Sequence, residues 1–183
     1  MQQNRNRLRF LGLSAIMAGG LCVLSPITIP VGVVPITLSV FALFLVASLF
    51  PMRVALCATA IYLAVGALGL PVFSAFTGGF FAFVSPSGGF LWGYLPAVFT
   101  VAFFARKAGG RLWLLLVGLL LALAVLYAFG LFGFCILTES GVQEGLWTVI
   151  LPFLFPDAAK VIAVLAVLRV LRRKTSFFSR DSF

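Results

Sequence analysis

The chain contains no histidine, and only four of its 183 residues are acidic. Its three cysteines, Cys22, Cys57 and Cys135, are far apart with no C-x-x-C pair. Neither a zinc nor an iron–sulfur centre therefore has a ligand set, and no metal or cofactor is expected. As small apolar side chains, the cysteines need no role beyond packing. There is no G-x-x-x-x-G-K-[ST] segment, so the chain cannot energise anything by hydrolysing ATP itself. Charge of either sign is scarce at 9% of residues, against roughly 25% in soluble domains. No aqueous surface can be assembled from such a sequence.

What fills the chain instead is apolar. Hydrophobic residues make up 63%, and the mean hydropathy is +1.22. These values describe an integral membrane protein, and the length fits a single domain over 1–183 with polar ends at 1–9 and 172–183. The net charge of +9 does not indicate nucleic acid. The basic residues sit at the ends of apolar stretches rather than in a stripe among polar contacts, which is how membrane topology is written.

A membrane helix needs about 20 mostly apolar residues. Six segments are expected, at about 10–27, 35–50, 54–70, 88–105, 112–134 and 156–171, the second of them short. The first follows RNRLR and has the flavour of a signal peptide. The apolar run continues through Ile27 towards a proline-rich turn, no small-x-small cleavage site precedes a soluble domain, and Leu21 precedes Cys22 where a lipoprotein site wants a small residue, so it reads as a retained helix. Between the third and fourth lies PVFSAFTGGFFAFVSPSGG, broken by Pro71, Gly78, Gly79, Pro86, Gly88 and Gly89. It is too irregular to span and too apolar for a free aqueous loop. Such backbone is tolerated at membrane depth only where it is buried in protein or lines a cavity, so a cap or re-entrant loop over a pocket is expected. Its glycines suit tight turns and close backbone approach. Phe73, Phe76, Phe80, Phe81 and Phe83 are candidates for ring stacking.

With the N-terminus inside, Arg5, Arg7, Arg9, Arg53, Arg106, Lys107, Arg111, Arg169, Arg172, Arg173, Lys174 and Arg180 all fall on the cytoplasmic side, twelve of the thirteen basic residues. That satisfies the positive-inside rule with both termini in the cytoplasm. The exception is Lys160, one helical turn after Asp157 in FPDAAK; these two are the only charged residues between Gly145 and Leu168. Either ion alone at a helix centre costs roughly 2.5–3.5 kcal/mol on insertion scales, and the i, i+3 spacing allows mutual neutralisation. On one reading Asp157 caps a helix that begins after Pro156 while Lys160 snorkels outward. On the other the pair is the polar floor of a site for a ligand with its own carboxylate and donors. A nucleophile requires an adjacent base, and the chain offers no histidine, so an enzyme is not expected.

Four segments together carry a resemblance. Val34-Pro35-Ile36-Thr37-Leu38, then Gly69-Leu70-Pro71-Val72-Phe73, then Ser85-Pro86-Ser87-Gly88-Gly89-Phe90-Leu91-Trp92-Gly93-Tyr94, and finally Pro152-Phe153-Leu154-Phe155-Pro156-Asp157-Ala158-Ala159-Lys160, resemble the BioY family of biotin-binding S components of energy-coupling-factor (ECF) transporters. Ser39 stands where that family usually has Gln, Phe155-Pro156 replaces Pro-Gly, and Ser74-Ala75-Phe76-Thr77 is bulkier than the usual glycine-rich equivalent.

The resemblance implies an all-α bundle of six transmembrane helices, with an outward-facing biotin pocket capped by the loop between the third and fourth. It places Asp157 and Lys160 at biotin, with Thr37, Phe73, Gly78, Gly79, Gly88, Gly89 and Tyr94 as further substrate-binding candidates. Which of Asp157 and Lys160 meets which end of biotin is left open. Other S-component vitamins, and a non-transport assembly subunit, are the competing readings. The implied partners, besides membrane lipid, are a transmembrane coupling subunit and its paired ATPases. A stripe of small residues on the first helix, Gly12, Ala15, Gly19 and Cys22, is the expected docking face, since small-xxx-small surfaces let helices approach closely in lipid.

Overall fold

The computed structural model describes residues 2–30 and 34–174, with side chains for 4–30 and 34–171. The expected polar end at 172–183, including Arg180, therefore lies largely outside the described residues. The other end is part of a helix: α1 runs Gln2–Leu24 and absorbs the arginines at positions 5, 7 and 9. Ser14, Ala18 and Leu21 form its buried face, continued by Ser25 just past its end. These positions follow the i, i+4, i+7 rhythm of one helical stripe. That stripe packs chiefly on α3.

A small antiparallel hairpin follows, β1 (Thr28–Ile29) and β2 (Ile36–Thr37), in the register Thr28↔Thr37 and Ile29↔Ile36. Then come two short helices, α2 (Ser39–Leu49) and α3 (Met52–Ala67). They are joined by a turn at Pro51, whose fixed φ suits a helix entry. At 1.5 Å per residue the 11 residues of α2 reach only about 16 Å, half the thickness of a hydrocarbon core. The segment expected as irregular is irregular: two 3₁₀ turns, Ser74–Phe76 and Phe80–Val84, are its only regular pieces. Ala75 and Phe76 both have positive φ, 52° and 57°, a left-handed conformation uncommon for residues with a Cβ.

The long helices complete the fold. α4 spans Gly88–Lys107 and α5 spans Leu112–Thr138. They form the most extensive contact in the molecule. Gly89 and Gly133 make it possible, because a Cβ on either would run into the backbone of the other helix. The last apolar segment begins earlier than expected. α6 (Val142–Gly145), a π-helical turn (Leu146–Ile150) and α7 (Leu151–Lys174) run on without a break. The helix was expected to start at about Pro156, yet Pro156 and Pro152 before it both lie within that run. Each removes one backbone hydrogen bond, and the π turn just ahead of Pro152 is one local adjustment that accommodates the lost bond.

Among the described residues, four helical runs are long and apolar enough to cross a membrane: Asn4–Leu24, Gly88–Lys107, Leu112–Thr138 and Val142–Leu171. α2 and α3 are apolar but shorter. The outer surface carries large bare side chains, among them Ile16, Val23, Trp113, Leu120, Phe155 and Ile162. A surface of that kind is at rest in lipid rather than water. Inside, one core joins α1 through α5 and α7, with Phe44, Tyr62 and Phe73 fully buried. A smaller cluster of Val34, Tyr127, Phe134, Val149 and Phe153 sits beside it.

Candidate functional site

Asp157 sits in the middle of the continuous helical run and is 2% exposed. It is therefore not an N-cap, and the capping reading of the pair is corrected: a helix that starts at Val142 has no free N–H groups near position 157. The carboxylate is satisfied by side chains instead. Lys160 Nζ donates to Oδ1 at 2.6 Å and the Tyr127 hydroxyl donates to Oδ2 at 2.8 Å. Lys160 does not snorkel to the outside either, since its side chain is only 11% exposed. A buried ion pair that also carries a hydrogen bond from a second helix is held in one geometry, which is what a recognition site requires.

The pair opens onto a cavity of about 430 Å³, within the usual range for sites that enclose a small molecule. Its walls come from every part of the chain that the motifs occupy. Thr37 and Val40 contribute from the hairpin and α2, Tyr62 from α3, and Phe73, Ser74, Thr77, Gly78, Phe81 and Ser85 from the irregular loop. Phe90, Leu91 and Tyr94 come from α4, Leu126 from α5, and Phe153, Asp157 and Lys160 from α7. The loop thus forms one wall of the cavity. Phe73 is its anchor: it is 2% exposed and meets Tyr62 and Phe83 edge to face, with ring centroids 5.5 and 5.7 Å away.

Of the expected substrate contacts, Asp157, Lys160, Thr37, Phe73, Gly78 and Tyr94 all line this one cavity. Gly79, Gly88 and Gly89 do not, and their glycines answer to other needs. Gly79 has φ 90° and turns the loop. A Cβ on Gly88 would strike the Phe83 carbonyl, and Gly89 gives α5 its close approach. Among the phenylalanines proposed for stacking, Phe76, Phe80 and Phe81 are all largely exposed, and of these three Phe81 borders the cavity. Phe83 packs on the core.

Three residues of the site escaped the sequence reading: Tyr62, Tyr127 and Phe153. The chain has only three tyrosines. Two of them, Tyr62 and Tyr94, line the cavity, and Tyr127 stands behind Asp157. A polar-tipped ring in an otherwise apolar membrane helix was the available signal, because such a hydroxyl seeks a partner when buried.

On α1, Gly12, Ala15 and Gly19 lie on the exposed side and Cys22 is half-buried. Nothing lies within 4 Å of where a Cβ on Gly12 or Gly19 would be. Gly12, Ala15 and Gly19 therefore face away from the bundle, whereas Cys22, expected on the same face, packs against the core beside Leu21, and Ser14 and Ala18 also point inward.

In its chemistry, the cavity offers a paired carboxylate and ammonium at one wall, hydroxyls beside them, and aromatic and aliphatic side chains around the remainder. The ammonium has three donors and gives one to Asp157, and each carboxylate oxygen retains a further lone pair. Comparison with known proteins gives this geometry its context. The BioY family matches residues 1–177. The biotin transporter BioY of Thermotoga maritima is 36% identical over 145 residues, which cover 79% of this chain and 85% of that one. Biotin transporter BioY2 of Lactococcus lactis is 32% identical over 181 residues, covering 94% of this chain and 97% of its own. A solved structure, the S component for biotin from an ECF-type ABC transporter, superposes with a TM-score of 0.83 at 25% identity, covering 95% of this chain and 96% of that one. The chain belongs to the BioY family.

Proposed function

We propose that this chain is the biotin-binding, substrate-specificity subunit of an ECF transporter, working in vitamin uptake across the cell membrane. Family membership, with four helices long and apolar enough to span, makes it a multi-pass membrane protein. The observation that carries the ligand reading is the Asp157–Lys160–Tyr127 constellation at the wall of a partly open, mostly apolar cavity. Biotin presents a carboxylate, two ureido N–H donors with a carbonyl between them, and a thioether ring on an aliphatic tail. The cavity holds a cation, a carboxylate acceptor and apolar walls for these groups.

The six apolar helices each cross the membrane once in this reading, α2 and α3 with local thinning of the bilayer, a modest cost for short spans. That alternation keeps Arg53 and the Arg106, Lys107, Arg111 cluster on the side of both termini, in the cytoplasm. It turns the cavity and the loop over it to the outside. The outward-facing stripe of Gly12, Ala15 and Gly19 is the docking face for the transmembrane coupling subunit, whose paired ATPases supply the energy that this chain has no motif to provide.

The direct test is calorimetric titration of the detergent-purified chain with biotin. Saturable one-site binding is expected, undiminished by excess thiamin or riboflavin. Displacement by another vitamin, with biotin ineffective, would replace the ligand. No saturable binding by any of them would favour an assembly subunit. Lys160→Ala should weaken biotin binding tenfold or more, because a hydrogen bond to a charged group contributes about 1.5–3 kcal/mol.

A further inference from the structure

The irregular segment between α3 and α4 turns large apolar side chains outward as well as toward the cavity. Leu68, Phe76, Phe80 and Phe81 are each between 70% and 83% exposed, and Leu70 is half exposed. Ala75 and Phe76 hold positive φ, a conformation unfavourable for residues with a Cβ, and Phe76 still projects outward. No charged residue lies between Arg53 and Arg106. A loop in water would bury such rings or carry polar residues in their place. The crest is tied to the site by its rings. Phe80 stacks on Phe83 at 6.1 Å, Phe83 meets Phe73 edge to face, and Phe73 anchors the cavity wall.

Helix lengths give the height at which this crest stands. At 1.5 Å per residue, the 16 residues of α3 rise about 24 Å from the cytoplasmic face at Arg53, short of a hydrocarbon core of about 30 Å. The 20 residues of α4 cover about 30 Å from Lys107 back to Gly88, which is level with the outer boundary. The 27 residues of α5 reach about 40 Å, carrying the turn that follows about 10 Å into water. A usual tilt of about 20° shortens each rise by only a few per cent. Charge follows this height. Glu139 and Glu144 lie on the turn between α5 and α6. The loop over 68–87, which starts below the boundary and ends at it, has no charge at all. On the same scale the exposed Trp113 and Trp147 fall near the inner and outer boundaries, where indole rings prefer to lie. Phenylalanine has no polar tip and suits the depth just beneath.

We propose that Leu68, Leu70, Phe76, Phe80 and Phe81 form a lipid-binding crest, seated among the glycerol groups and upper acyl chains of the outer leaflet. This rests on the topology proposed above. The partner is phospholipid, met through its apolar part, because the crest offers rings and aliphatic groups and no ion for a headgroup. Phe81 borders both the cavity and this surface, so one rim of the cavity is bounded by lipid. The loop wall thus has a support outside the protein, carried inward by the rings of Phe80, Phe83 and Phe73.

The test uses the full chain in phosphatidylcholine vesicles. In a Cys22→Ala, Cys57→Ala, Cys135→Ala background, spin labels are attached at Phe76→Cys, Phe80→Cys and Gln143→Cys, one at a time. Oxygen, which concentrates in the bilayer, should relax the labels at 76 and 80 severalfold more than a water-soluble nickel chelate does. The order should reverse at 143. The unaltered chain gives a second measurement that no misfolded variant can spoil. Phosphatidylcholine with a diazirine high on one acyl chain should label the 68–84 peptide and spare 139–144. Labels at 76 and 80 open to nickel, with no lipid adduct on 68–84, would put the crest in water and overturn the proposal. Labels shielded from both reagents, again without adducts, would show a crest covered by protein, such as a second copy, and overturn it equally. A Gln143→Cys chain that escapes a membrane-impermeant maleimide on intact cells would overturn the topology instead, a separate failure.

Discussion

The Asp157–Lys160 pair allows stability and recognition to be separated by two substitutions, made singly and together. Lys160→Met alone leaves the Asp157 carboxylate in a wall where its side chain is 3% exposed, with only the Tyr127 hydroxyl donating to it. Breaking a buried pair by removing one partner typically costs 3–5 kcal/mol. The cavity admits some water and the Lys160 side chain is 11% exposed, so the lower end, about 3 kcal/mol, applies here. Asp157→Asn strands the ammonium less severely, because the amide oxygen still accepts from it. The double variant Asp157→Asn, Lys160→Met buries no charge at all and should regain most of the stability lost by Lys160→Met. Continuum reasoning places neutral replacements of buried pairs near or above the parent in stability. Biotin affinity should not return with it, because the groups that meet the ligand are gone. Thermal unfolding in detergent and calorimetric titration, run on all four chains, give the two readouts. Parent-like affinity in the double variant would refute the assignment of the pair to the site. A double variant no more stable than Lys160→Met would refute the claim that the two charges hold one another.

Tyr127→Phe removes one of the two side-chain bonds to Asp157 and should lower biotin affinity by about tenfold, near the low end for a bond to a charged group; parent-like titration would leave Tyr127 as packing only. Hydrogen exchange across 71–86 should slow on adding biotin, since the loop forms a wall of the cavity; equal protection in both states would make it a static plug. Ala15→Trp or Gly19→Trp should block co-purification with the coupling subunit and ATPases while leaving biotin titration intact, because both positions face outward; loss of both activities would place the stripe inside the bundle. Gly133→Val should lower the unfolding temperature by several degrees, since its added carbons meet the backbone of α4 at Gly89; an unchanged melt would mean that the helices can part without cost.

The sequence alone determined the class of protein and much of its layout. Scarce charge and long apolar runs exclude an aqueous surface whatever the packing. The proline and glycine breaks of 71–89 exclude a spanning helix there. The i, i+3 spacing was enough to pair Asp157 with Lys160, because neighbours on one helix face meet by local geometry. Reading stopped where a property depends on residues distant along the chain. The final helix begins at Val142 rather than Pro156, because a proline costs one hydrogen bond while a continuous rod in lipid satisfies all the others. Tyr127 lies 30 residues from Asp157, and no local pattern reveals that they touch. Gly88 and Gly89 looked like places for a ligand. Instead Gly88 lies against the Phe83 carbonyl of the loop, and Gly89 allows α4 to lie against α5. A bare glycine permits any close approach, and only the tertiary structure decides what approaches.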